Sequence, residues 1–158
     1  MTKNVPCASP AEIALLRAQC LKYKEGAEIL EKYSNATLAQ HIYNGAGPDA
    51  WTADLRAILT KAMEIFSPVV LIHDTQYFES DGSYGSFKKT AKIWKVNTRK
   101  ILDAEYPLWT LDMLSREYRI RRAYWWGVME ATNKAISGRS AYEAYQSACR
   151  ARAEVKNA

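Results

Sequence analysis

Pro68-Val69-Val70-Leu71-Ile72-His73-Asp74-Thr75-Gln76-Tyr77-Phe78 sets an unbroken aliphatic run directly ahead of a histidine and an aspartate. Four aliphatic residues in a row suit either a fully buried strand or a buried helix, and periodicity alone does not separate the two. No second run in the chain offers itself as a partner strand, so the segment reads as a buried helix with proline in its first turn. On a helix, His73 and Tyr77 are four residues apart and share a face with Val70, with Asp74 beside them.

Helical signals extend from it in both directions. Ser9-Pro10-Ala11-Glu12 is a capping box with proline at the first helical position, and Ile13, Leu16, Cys20 and Tyr23 then recur on one face. The Glu-rich stretch from Gly26 to Tyr33 continues or restarts that helix. Tyr43-Asn44-Gly45-Ala46-Gly47-Pro48 reads as a loop. Thr52 to Phe66 reads as a helix with Leu55, Ile58, Leu59, Ala62 and Phe66 inward. After the Asp81-Gly82 turn, Tyr84 to Leu102 is sharply amphipathic. Phe87, Ala91, Trp94 and Ile101 fall on one side, Lys88, Lys92, Lys95 and Arg99 on the other, and Thr90 and Asn97 at the edge of the apolar side. Leu111 to Ile136 reads as one long aromatic-rich helix ended by Gly138, with Ser140 capping a last helix toward Val155. The expectation is an all-α fold, an irregular bundle of five to seven helices in a single domain over residues 1–158.

The chain's 158 residues are 48% hydrophobic and 25% charged, which suits a globular core and excludes disorder. No stretch approaches the ~18 apolar residues of a membrane span, and the first residues lack the apolar core of a signal peptide. Cys7, Cys20 and Cys149 have no CxxC spacing and read as reduced, buried thiols. A cytoplasmic protein of the producing cell, or one carried on a virion, is the expected setting. The formal net charge of +5 is uneven: residues 1–80 carry 7 basic and 9 acidic side chains, residues 81–158 carry 15 and 8. The second half therefore attracts anions, unless its basic residues form no more than a solvated face.

Two pieces carry candidate chemistry. In Tyr43-x-Gly45-x-Gly47 the glycines allow positive φ and close backbone approach, and inward carbonyl oxygens would be hard ligands suited to Ca²⁺. In His73-Asp74-x-x-Tyr77 a group that titrates near neutrality stands beside a carboxylate that could hold a metal next to the water it activates. These motifs, in this order, resemble the phospholipase A2 superfamily, especially its short, disulfide-free viral type. The resemblance spans residues 43–101. It implies Tyr43, Gly45 and Gly47 as backbone calcium ligands and Asp74 as the side-chain ligand. It also implies His73 as the general base against an sn-2 ester, with Tyr77 in the supporting network. The chain is also similar to small phage and prophage proteins that have the same Gly-x-Gly-Pro and His-Asp elements.

One departure stands out. The family's histidine is oriented by a carboxylate on the next antiparallel helix, and no acidic residue occurs between Tyr84 and Leu102. Asn97 is the best-placed substitute, with Asp81, Asp103 and Glu105 as alternatives. Loss of the charged partner in a serine-protease triad costs ~10⁴ in turnover, so the expectation is a weak or inactive hydrolase. The competing expectation is a non-catalytic phage or prophage virion or assembly protein on a degenerate scaffold of the same type. Arg119, Arg122 and Trp125 are candidate contacts to a phospholipid surface, where aromatic rings and arginines sit well, although Trp125 with Tyr118, Trp126 and Met129 suits a core equally. Nucleic acid is the less favoured partner, since no helix-turn-helix or RNA-binding signature accompanies the Lys88-to-Arg99 stripe. Zinc is disfavoured for want of ligand spacing, and His41 reads as local packing.

Overall fold

A computed structural model describes residues 8–23, 27–45 and 59–156. Among them every regular element is helical. Helix α1 (Pro10–Lys22) is followed by a 3₁₀ helix (Ala27–Lys32), the short α2 (Asn35–Thr37) and a π-helical turn (Leu38–Ile42). After a helical turn at 59–62 and a 3₁₀ turn (Glu64–Phe66) come α3 (Ser67–Glu79) and α4 (Tyr84–Glu105). A 3₁₀ turn (Leu111–Leu114) then leads to α5 (Arg116–Ser137) and α6 (Arg139–Lys156). The expected all-α irregular bundle is what the chain forms. No helix among the described residues is long and apolar enough to cross a membrane.

The bundle is organised around α3. Pro68, Val69, Val70, Leu71, Ile72 and Thr75 are all buried, so the first half of this helix is enclosed on every side rather than along one stripe. It touches α1, α4, α6, the first 3₁₀ helix and the π turn. Fully burying each aliphatic side chain is worth about 1.5–3 kcal/mol, which overrides the modest helix propensity of Val and Ile. Pro68 costs nothing in the first turn, where its missing N–H would have had no partner. The Thr75 hydroxyl is satisfied by donating to the Leu71 carbonyl at 2.8 Å.

Local chemistry sets the neighbours. Ser9 caps α1, accepting from the Glu12 N–H at 3.3 Å, while the Glu12 carboxylate accepts from the Ser9 N–H at 2.7 Å. Ile13 and Cys20 are buried, with Leu16 and Tyr23 packed beside them. The Arg17 guanidinium ties α1 to the next segment, donating to the Tyr33 carbonyl at 3.0 Å and Asn35 Oδ1 at 2.9 Å. The α3–α4 turn uses Gly82 at φ +79°, and Asp81 Oδ1 accepts the Ser83 N–H at 2.9 Å. Along α4 the expected sides hold: Phe87, Ala91, Trp94 and Ile101 are buried, and Lys88, Lys92, Lys95 and Arg99 are exposed. Thr90 and Asn97 lie deeper than an edge position, both buried.

Several expectations are corrected. Within the Gly26–Tyr33 stretch the helix restarts as a separate 3₁₀ helix (Ala27–Lys32) rather than continuing α1, and Gly26 lies outside the described residues. The helix expected to end at Phe66 breaks at Met63, which has φ −107° and ψ 24°, so Met63 and Phe66 turn inward while Ala62 is exposed. Leu55 and Ile58 lie outside the described residues, as do Cys7, Gly47 and Pro48. The long helix expected from Leu111 instead starts at Arg116, because Ser115 caps it by accepting from the Tyr118 N–H. The last helix starts at Arg139, so Ser140 sits in its first turn rather than capping it. Cys20 is buried and donates toward the Pro68 carbonyl at 3.4 Å, whereas Cys149 is only partly buried. His41 is exposed and so contributes little packing.

Arg122 clamps the far end of the bundle. Its buried guanidinium meets Asp103 Oδ1 at 3.0 Å and donates to the Tyr106 carbonyl, joining α5 to the C-terminus of α4. Burial alone would raise the Asp103 carboxyl, but hydrogen bonds and charge from Arg99 and Arg122 outweigh it and hold it below its ordinary value. A depressed carboxyl contributes stability that is present above the unfolded-state value and lost as pH falls through the folded one. Arg122→Ala should therefore cost about 2–3 kcal/mol of unfolding free energy in a denaturant titration. Asp103→Asn should flatten the loss of stability below about pH 4.

Candidate functional site

His73 and Asp74 sit where the continuously buried part of α3 gives way to a partly open face. Their side chains retain 13% and 10% of their surface, so both are mostly enclosed yet reachable. Adjacent helical side chains normally diverge, but here the imidazole turns so that Nδ1 lies 3.5 Å from Asp74 Oδ1, a long contact. The other oxygen, Asp74 Oδ2, accepts the backbone N–H of Asn44 at 3.1 Å. The loop and the His-Asp pair, 30 residues apart in sequence, therefore meet in space.

The loop is shaped for that approach. The π turn ends with the Tyr43 N–H donating to the Leu38 carbonyl at 2.7 Å, and the buried Gly45 adopts φ +78°, a left-handed conformation that favours glycine. Tyr43 is buried. Single π turns are frequent at functional sites, and this one sets the direction in which the loop leaves α2. Gly47 lies outside the described residues.

Aromatic rings wall the histidine. The Tyr77 ring lies 4.1 Å from the imidazole, centre to centre, and the Trp94 ring makes a T-shaped contact at 5.1 Å. Tyr77 in turn packs on Tyr145 of α6 at 4.8 Å, and the Tyr145 hydroxyl hydrogen-bonds that of Ser80. Burial, followed by the nearby Tyr145, Asp74 and Cys149, pushes the Tyr77 phenol far above its ordinary value, so it stays neutral. Tyr145 is a member of the site that the sequence reading missed. The available signal was the Tyr142–Tyr145–Cys149 spacing, which aligns three side chains on one face of α6.

The residue facing His73 from α4 is Trp94 rather than Asn97. No hydrogen bond joins Asn97 to His73, so the orienting role expected of Asn97 has no contact behind it. The three acidic alternatives are committed elsewhere: Asp81 to Ser83, Asp103 to Arg99 and Arg122, and Glu105 to Lys22 and Tyr23. Among the described residues, the carboxylate in contact with the imidazole is that of its own neighbour, Asp74. Four buried polar atoms on α3 and α4 lack a hydrogen-bond partner among the described residues: His73 Nε2, Gln76 Oε1, Trp94 Nε1 and Asn97 Nδ2. His73 and Gln76 are three residues apart on α3, as are Trp94 and Asn97 on α4, so each pair shares a helical face.

A carboxylate beside a glycine turn is hard-donor chemistry that suits Ca²⁺. Asp74 is not part of a larger acidic cage, since no three His, Cys, Asp or Glu side chains gather as a metal cluster among the described residues. Of the candidate lipid contacts, Arg119 is exposed, Arg122 is buried in its clamp, and Trp125 is half-buried against Phe66 at 5.9 Å. The clamp and the core packing use Arg122 and Trp125 for structure.

Donation from Nδ1 to the Asp74 carboxylate would put the proton of the neutral imidazole on Nδ1 and leave the Nε2 lone pair available. Long-range nitrogen–proton NMR spectra should show neutral His73 as the Nδ1–H tautomer, with His41 as the exposed internal reference. Asp74→Asn should abolish the preference, and an unchanged tautomer in that variant would separate Asp74 from the imidazole. Comparison with protein-family models, curated proteins and solved structures finds no match to this chain.

Proposed function

We propose that the His73–Asp74 site supports a weak, calcium-assisted hydrolysis of phospholipid esters of the phospholipase A2 type. One observation carries this reading. The Asn44 N–H···Asp74 hydrogen bond joins the glycine loop to a histidine whose buried Nε2 has no other partner among the described residues. In this reading Asp74 holds the imidazole through Nδ1. His73 Nε2 takes a proton from water as the water oxygen bonds to the ester carbonyl carbon, then returns that proton to the departing alkoxide. Tyr77, neutral throughout, packs the ring in place. Ca²⁺, held by Asp74 with the carbonyl oxygens of Tyr43, Gly45 and Gly47, would polarise the ester carbonyl.

The 3.5 Å contact to Asp74 is a poorer support than a well-aligned carboxylate bond, which is why the activity is proposed to be weak. The second reading, a non-catalytic phage or prophage virion or assembly protein on the same scaffold, is favoured by the position of Trp94. An indole, rather than a carboxylate, packs against His73 from the facing helix.

Fatty-acid release from vesicles containing anionic phospholipid, with calcium and with chelator, separates the readings. Calcium-dependent release that falls by roughly 10²–10⁴ in His73→Ala would support hydrolysis. Release no greater than that of His73→Ala, across several lipids, would favour the scaffold. Asn97→Asp should not raise the rate, since that position has no contact with the imidazole.

A further inference from the structure

The connection between α4 and α5 is built as no ordinary surface turn. Loop residues in globular proteins are usually polar, yet Trp109 is 97% exposed, Leu111 84% and Leu114 81%, all within six residues. The backbone beneath them is held firmly. The Thr110 side chain accepts from the Asp112 N–H, Ser115 caps α5, the Tyr118 hydroxyl donates to the Pro107 carbonyl at 2.8 Å, and Arg122 donates to the Tyr106 carbonyl. An ordered turn thus presents three large apolar side chains outward, where they add nothing to the core.

Charge indicates what covers them. Arg116 and Arg119, on the first turns of α5, are exposed and pair with no carboxylate among the described residues, while Glu117 is already engaged by Arg121 at 2.6 Å. Asp112 is the acidic group in the turn itself, and its carboxylate accepts the Thr110 hydroxyl. Leu108 in the same turn and Ile120 and Tyr124 on α5 are exposed as well, so the apolar patch extends past the three side chains, and a purely apolar protein partner would leave Arg116 and Arg119 without a counter-charge. An indole and two leucines beside free arginines match a bilayer boundary instead. There the ring sits at headgroup level, the aliphatic chains reach the acyl region, and guanidinium groups meet phosphates.

We propose that the turn carrying Trp109, Leu111 and Leu114 is a membrane-surface anchor, which with Arg116 and Arg119 docks the protein on anionic phospholipid. This assignment shares the lipid-surface part of the reading above and is independent of hydrolysis. With no helix able to span a membrane among the described residues, the protein would lie on the surface.

The test is flotation with vesicles of equimolar phosphatidylcholine and phosphatidylglycerol, in chelator and in the His73→Ala background, so that hydrolysis plays no part. Combining Trp109→Ser, Leu111→Ser and Leu114→Ser should weaken binding roughly 100-fold or more. Combining Arg116→Glu with Arg119→Glu should weaken it at least about 10-fold, and phosphatidylcholine alone should bind less. In the unmutated turn, brominated acyl chains should quench fluorescence that Trp109→Phe removes, a readout that needs no serine variant to fold. The proposal is overturned by absence of flotation, by equal flotation of the triple-serine protein, or by no quenching at Trp109. It is overturned equally by a concentration-dependent dimer that the serine changes abolish, which would make a second copy the occupant.

Discussion

The structure depends on one constraint: Val69, Val70, Leu71 and Ile72 are consecutive and all must be buried. Four consecutive residues on a helix point in every direction around its axis, so no single neighbour can cover them. The chain meets this by surrounding the first half of α3 with α1, α4, α6, a 3₁₀ helix and a π turn, which together remove residues 68–72 from water. The irregularity of the bundle follows, because short and distorted helical pieces fill the space around a central helix that long parallel ones would leave open.

That arrangement also makes the candidate site. Where α3 continues past Ile72, the same enclosure closes on polar side chains, and His73, Gln76, Trp94 and Asn97 each keep a buried polar atom without a partner among the described residues. Leaving such a group unsatisfied costs about 1–3 kcal/mol, comparable to what one buried aliphatic side chain contributes. A chain selected for stability alone would tend to replace such groups with apolar ones of similar shape. Their presence next to a histidine that contacts a carboxylate, near a glycine turn, is the physical basis for reading this region as a candidate site. The opposite end of the molecule has a different character: Arg122 is buried and paired, while the turn it helps anchor leaves Trp109, Leu111 and Leu114 in solvent.

Much of this was legible from residue order. The Ser9–Glu12 capping box, the two sides of α4 and the helical reading of the Val-Val-Leu-Ile run all rest on local rules of spacing and turn chemistry, and all hold. What was misjudged rests on backbone direction or on long-range partners. The break at Met63 rotates Ala62 outward, and the Ser115 cap separates Leu111–Leu114 from α5. Arg122 looked like a surface charge because its acceptor at Asp103 is 19 residues away. Trp94, rather than Asn97, meets His73 because the crossing of α3 and α4 selects which turn faces which, and helical periodicity names a face but not a height along it.

Residue order alone accounts for the helical character of the chain, the starts of α1, α3 and α4, which faces are apolar and which residues carry reactive groups. Those properties depend on neighbours within about four positions, where a helix makes its own contacts. Tertiary packing alone brings the Asn44 N–H to Asp74 across 30 residues, closes the wall behind Tyr77 with Tyr145 of the last helix, and leaves Trp109 exposed. Those outcomes depend on how separate helices pack once the buried run of α3 has been enclosed, and packing is decided by the sum of all the faces at once.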